Sequence, residues 1–130
     1  MTQEEAMARV ARGMAWMDQW WKQSKRWAQL IDLNFFHIED ARLSVIGQLS
    51  CAPKGMFEHA LKWFGLTREE AAELGYCLKQ EDLAHEEESY FMLNAAWFYA
   101  LRQRLRDLGD ELPLSMGAYQ TCTPGEYYVP

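Results

Sequence analysis

The longest run of helical periodicity in the chain is residues 80–108, QEDLAHEEESYFMLNAAWFYALRQRLRDL, where Leu83, Tyr90, Asn94, Trp97, Leu101, Leu105 and Leu108 recur at steps of three, four or seven. A 3.6-residue period stacks such positions on one side of a cylinder, so the spacing predicts one long C-terminal helix with that stripe as its core face. Asp82, Glu86 and Glu87 fall in its first turns and Arg102, Arg104 and Arg106 in its last, opposing the partial charges of the unpaired N–H and C=O groups at each end. Gly109 comes next, able to close the final turn in a left-handed conformation. Phe91, Met92, Phe98 and Tyr99 lie off the stripe. They make the helix apolar over more than half its girth and predict contacts with more than one neighbour, the alternative being an exposed partner surface.

Upstream, Thr2 followed by Glu5 is a capping box and predicts a first helix from Gln3 to Gln29. Met7, Val10, Met14, Met17 and Trp21 form one stripe on it, and Trp16, Trp20 and Trp27 a second about a quarter-turn away. Two stripes imply two contacts. The helix is expected to be gripped on both sides, with an aromatic side awaiting a partner as the alternative. Gly13 marks a close helix crossing or a kink. Residues 31–40, IDLNFFHIED, hold too many Asn and Asp residues to prolong the helix. They are expected to form an extended connector with Leu33, Phe35, Phe36 and Ile38 directed into the core and Asp40 placed to cap the next helix.

ARLSVIGQLSC then reads as a short helix with Leu43, Ile46 and Leu49 inward, closed by Pro53. KGMFEHALKWFG gives another, with Phe57, Leu61 and Phe64 inward and Gly65 as its stop. Thr67 and Glu70 make a second capping box, opening TREEAAEL, which Gly75 ends. This succession predicts an αα-hairpin. With no alternating segments available to pair as strands, the expected fold is all-α: a compact bundle of about five helices around the long C-terminal one. Residues 1–109 are expected to form the single helical domain, and residues 110–130, with three prolines and two glycines, an irregular C-terminal tail.

Composition narrows the class. A chain of 130 residues, 49% apolar and 14% aromatic, buries roughly two-thirds of its unfolded surface and needs no staple. No apolar run approaches the ~18 residues that span a bilayer, and MTQEEAMARVARG lacks the basic-then-apolar layout of an export signal. The expected location is the cytoplasm. Cys51, Cys77 and Cys122, odd in number and widely spaced, read as reduced thiols. The net charge of −6 conceals an asymmetry: residues 1–28 carry five bases against three acids, whereas residues 69–88 carry eight acids against Lys79 alone. A field of that sign repels nucleic-acid backbones and draws basic surfaces, although a solvated helix start has the same pattern.

Glu81, His85 and Glu88 share a helix face and offer two oxygens and a nitrogen. A carboxylate-bridged dimetal bundle, however, needs Glu plus Glu-x-x-His from separate helices, twice; the nearest match is Asp82 with His85, once. There is no Gly-rich phosphate loop, His-Glu-x-x-His or Gly-x-Ser-x-Gly. No metal, cofactor or enzymatic activity is expected.

Trp27 with Ile31-Asp32, Val45-Ile46-Gly47-Gln48-Leu49, Ala60-Leu61 with Gly65-Leu66, Ala71, Gly75-Tyr76, and Leu93 with Ala96-Trp97 occur in an order that resembles a family of short proteins from actinobacteria and their phages with no known activity. Relatives of that kind carry a cysteine shortly before Gly-Gln-Leu, where this chain has Arg42, Leu43 and Ser44. The resemblance implies a phage or prophage source and, as partner, a host protein to be bound and blocked. From the surplus aromatic positions on the first and last helices and the acidic stretch 69–88, the expected function is non-catalytic binding of a protein with a basic surface, through Glu69, Glu70, Glu73, Glu86 and Glu87 together with Trp20 or Tyr90. Two alternatives stand beside it. One is nucleic-acid binding by Arg9, Arg12, Lys22, Lys25 and Arg26 with Trp16, Trp20 and Trp27 as stacking platforms. The other is a homo-oligomer joined through the tryptophan stripe.

Overall fold

In the computed structural model, which describes residues 1–50 and 56–109, the Thr2 hydroxyl accepts from the backbone N–H of Glu5 and starts α1 (Gln3–Trp20). After it come a 3-10 turn η1 (Arg26–Leu30), α2 (Val45–Ser50), α3 (Phe57–Phe64), α4 (Arg68–Glu73), a second 3-10 segment η2 (Gln80–His85) and α5 (Glu86–Asp107). The described residues are mainly helical, joined by turns and irregular segments, with no strand among them. The expected all-α bundle built on a long C-terminal helix is the fold. Its central packing is α1 along α5, with α4 against α1, η1 against α5, and α2 against α3 and η1. Buried side chains from these elements join one hydrophobic cluster that includes Val10, Met17, Ile31, Ile46, Leu61, Phe64, Leu93 and Trp97. The expected helix stop at Pro53, the thiols of Cys51 and Cys122, and the C-terminal tail of residues 110–130 lie outside the described residues.

Gly13 is the close crossing. A Cβ there would lie 2.1 Å from the Leu74 carbonyl oxygen and 2.9 Å from Cζ2 of Trp97, so only glycine lets α1 reach α5 at this point. The Tyr76 hydroxyl donates to the Gly13 carbonyl (2.6 Å), and Trp97 Nε1–H donates to the carbonyl of Gly75 (2.6 Å). Gly75 itself adopts φ +77°, which turns the chain after α4 and delivers Tyr76 into stacking contact with Trp97, centroids 5.5 Å apart. The capping box of Thr67 and Glu70 forms as expected, and Gly65 ends α3 in the left-handed region.

Several boundaries differ from the sequence reading. The first helix stops at Trp20, short of Gln29, because Lys22 and Gln23 take left-handed backbone angles (φ 58° and 66°). The turn brings Trp27 back so that its Nε1–H donates to Asp18 Oδ1 (2.7 Å), a carboxylate that also receives Arg104 from α5 (2.8 and 3.0 Å). The long C-terminal helix is two elements. Asp82 is drawn aside to accept from Arg9 Nη1 (2.6 Å) and from the Lys79 N–H (2.8 Å), and His85, at φ −134° and ψ 58°, interrupts the helical path. That break resets the phase of the stripe. Trp97, Leu101 and Leu105 are buried as expected, but Leu83 is exposed, Tyr90 and Asn94 are only half-buried, and Ser89, Leu93 and Ala96 take the inner places.

Asn94 serves instead as a polar clamp, accepting from the Ile38 N–H (2.7 Å) and donating to Glu39 (2.8 Å). In the connector, Leu33, Phe36 and Ile38 are buried, whereas Phe35 is exposed; on α1, so is Met7. Asp40 accepts from the N–H of Arg42 within its own turn, and the hydroxyl that caps α2 is that of Ser44, bonded to the Gly47 N–H (3.1 Å).

Candidate binding surface

The inner residues of α5 consume its contacts with α1 and η1, and the opposite side is left to solvent. Phe91 is 70% exposed and Tyr99 63%, with Phe98 and Ala95 exposed beside them. The expectation that Phe91, Phe98 and Tyr99 would meet further neighbours is corrected: the described elements cover one side of α5 only. Phe91 stands as a ridge between two grooves. One, of about 380 Å³, runs between α1 and α5 and is lined by Gln3, Met7, Met92, Ala96 and Tyr99. The other, of about 420 Å³, has Phe36, His37 and Glu39 from the connector on one bank and Glu87, Tyr90, Asn94 and Phe98 from α5 on the other.

Charge divides these grooves. The first is almost wholly apolar. In the second, burial and then the charges of Glu86 and Glu39 push the Tyr90 phenol upward, so the hydroxyl stays neutral in a negative surrounding. Toward the C-terminal end the sign changes, with the Arg102 guanidinium over the Phe98 ring at 5.8 Å.

The residues singled out from sequence do not gather on one surface. Glu87 and Tyr90 meet in the second groove, with Glu86 near enough to act on Tyr90 electrostatically. Glu69 and Glu73 line a separate cleft with Arg68 and Lys79. Glu73 is paired with Lys79 (2.7 Å) and Arg12 (3.6 Å), Lys79 being the main reason its carboxyl lies below the usual range. Glu70 is occupied by its cap, accepting from the Thr67 N–H (2.8 Å). Trp20 belongs to a half-buried aromatic cluster, with ring centroids 5.2 Å from Trp63 and 4.7 Å from Phe64.

The same cluster engages the tryptophan stripe expected to join an oligomer: Trp16 packs edge-on against Phe64 and Tyr76, and Trp27 is buried. The basic residues of the first helix are likewise dispersed. Arg9 is fully buried between Asp82 and Glu5, and Arg12 is engaged by Glu73 through its carbonyl (3.0 Å) and carboxylate. Lys22, Lys25 and Arg26 remain exposed.

Sequence reasoning identified Phe91, Phe98 and Tyr99 but assigned them to packing. The signal that separates them from the core is their flanking charge: Glu87 and Glu88 precede them and Arg102 and Arg106 succeed them on the same side. A helix face bounded by fixed charges at both ends is poorly suited to burial within a small domain.

Burial pushes the Cys77 thiol up to about 11, so it is protonated and inert near neutrality. Among the described residues no three His, Cys, Asp or Glu side chains converge to hold an ion, and the break at His85 separates Glu81 from the α5 register of Glu88. No helix of the described residues is long and apolar enough to cross a membrane. No protein-family model matches the chain, and neither curated proteins nor solved structures yield a match, so no residue roles pass to it by similarity.

Proposed function

We propose that the protein is a non-catalytic protein-binding module whose contact surface is the outer face of α5. The observation that carries this reading is the exposure of Phe91 and Tyr99 on a helix whose other side is core. Exposed aromatic rings beside grooves are what interfaces use as anchors, because they contribute large apolar area with few rotatable bonds. The rim supports a partner of complementary chemistry. Apolar side chains would fill the groove between α1 and α5, and basic side chains would face Glu39, Glu86 and Glu87. The likeness to short actinobacterial and phage proteins is the ground for a host protein as that partner, bound so as to block it. Nucleic acid is the weaker reading, since two of its five proposed bases are held in ion pairs.

The test is affinity capture from host lysate with the parental chain and two variants of unchanged circular dichroism. Phe91→Ser with Tyr99→Ser should lose the captured protein. Glu86→Gln with Glu87→Gln should retain it more weakly and with a flatter dependence on salt. Capture indifferent to both would overturn the proposal.

A further inference from the structure

The exposed side of α5 is not only aromatic; one acid and one base on it stand at equal distances from its centre, with Arg106 beyond them. Glu88, Phe91, Ala95, Tyr99 and Arg102 succeed one another at steps of three or four, which puts them in one line along the helix. Glu88 and Arg102 stand seven residues to either side of Ala95, about 10 Å each way at 1.5 Å per residue. Neither belongs to any ion pair among the described residues.

From this placement we infer that the occupant of the outer α5 face is a second copy of the chain, packed antiparallel about a twofold axis passing beside Ala95. The inference rests on the reading of that face as protein-binding and puts a second copy, in place of a host protein, as its occupant. A twofold interface is self-complementary: if residue i meets residue j, then j meets i. Reversing α5 about Ala95 sets Glu88 level with Arg102 of the second copy, Phe91 level with its Tyr99, and Phe98 level with its Met92. Glu88 and Arg102 each thereby gain an opposite charge, Arg102 in addition to its place over the Phe98 ring, and each exposed ring gains an apolar neighbour. A parallel arrangement would set Glu88 on Glu88 and Arg102 on Arg102. An unrelated partner would supply complementary charge without requiring the two ends of this helix to be equidistant from a small residue. Ala95, exposed at the crossing, lets the two backbones approach where a larger side chain would hold them apart.

One helix face is a small interface, so association should depend on concentration. The experiment is sedimentation equilibrium of the full chain from low micromolar to millimolar concentration. The parental chain should pass from the mass of one copy to that of two. Glu88→Arg alone, or Arg102→Glu alone, should move the midpoint about tenfold or more to higher concentration, because each creates two like-charge contacts per dimer. An equimolar mixture of the two variants should recover the parental midpoint, since positions 88 and 102 then carry opposite charges wherever the two copies meet. A single-copy mass at every concentration, or a mixture no better than its components, overturns the inference. Failure of the inference alone is recognisable: a monomeric chain that captures a foreign protein through Phe91 and Tyr99 keeps the binding reading and discards the second copy. A dimer whose midpoint ignores Phe91→Ser overturns the inference by placing the interface elsewhere.

Discussion

Both faces of α5 carry aromatic side chains, but only the inner ones find complements within the described fold. Trp97, fully buried, stacks on Tyr76 and donates its indole N–H to the carbonyl of Gly75, whereas Phe91 and Tyr99 on the outer face are each exposed over more than half their surface. Hydrophobicity alone does not distinguish the two sets. What differs is the neighbouring backbone: Gly13 admits the Trp97 ring and Gly75 accepts its N–H, and the outer face has no counterpart to either among the described residues. Trp97→Ala should accordingly be the most damaging single change. Truncating a buried Trp costs about 3–5 kcal/mol, and the Gly75 carbonyl loses its partner as well. Against a typical total of about 5–15 kcal/mol, urea titration should find a substantial fraction of the stability gone and the midpoint lowered accordingly. A shift below about 1 kcal/mol would deny the inner face its structural role.

Polar ties sharpen the contrast, because the inner side of the fold also holds a buried ion pair. Burial is the strongest single influence and opposes charge on both Arg9 and Asp82, but their hydrogen bonding and attraction, joined by Glu5 on the guanidinium and the Lys79 N–H on the carboxyl, together outweigh it, raising the guanidinium and lowering the carboxyl from their usual values. Replacing Asp82 leaves the buried guanidinium with Glu5 as its only acid, so Asp82→Asn should cost no more than about 3–5 kcal/mol at neutral pH, the loss expected when a buried charge keeps no partner at all. The lowered carboxyl sets the sign of the pH effect. Its stabilisation is fully present above the unfolded value of about 4 and fades as pH falls through the folded value below it. Stability curves of the parental chain and Asp82→Asn, compared by thermal melting from neutral to acid, should therefore converge below about pH 4. Parallel curves across that range would place the pair outside the stability balance.

How much of this could be read from the chain depends on whether a signal was local. Thr2, Thr67, Gly65 and Gly75 were legible because a cap or a left-handed stop is decided by one residue and its immediate neighbours. The division between η2 and α5 was not, because Asp82 is claimed by Arg9, 73 residues away in sequence. Nor was the end of α1: Lys22 and Gln23 have no preference for positive φ, and the turn is fixed by Asp18 holding Trp27 and Arg104 together. For the binding surface, periodicity separated Phe91, Phe98 and Tyr99 from the main stripe but could not say whether another element would cover them. The acidic residues 69–88 looked continuous in sequence, yet folding set Glu73 against Arg12 and Lys79 and left Glu87 beside Tyr90.

The smallest expected effect on stability is therefore on the outer face, and its smallness is what gives it meaning. Phe91→Ser and Tyr99→Ser replace rings that already contact water, so each should change the unfolding free energy by no more than about 0.5 kcal/mol. The measurement belongs at low micromolar concentration, where association adds nothing to apparent stability. If instead the pair of changes removes about 2 kcal/mol or more in dilute monomer, the size of burying a large apolar side chain, those rings are core and the two faces of α5 do the same work. If stability holds while binding is lost, the rings serve contact between molecules, and the difference between the faces is one of function.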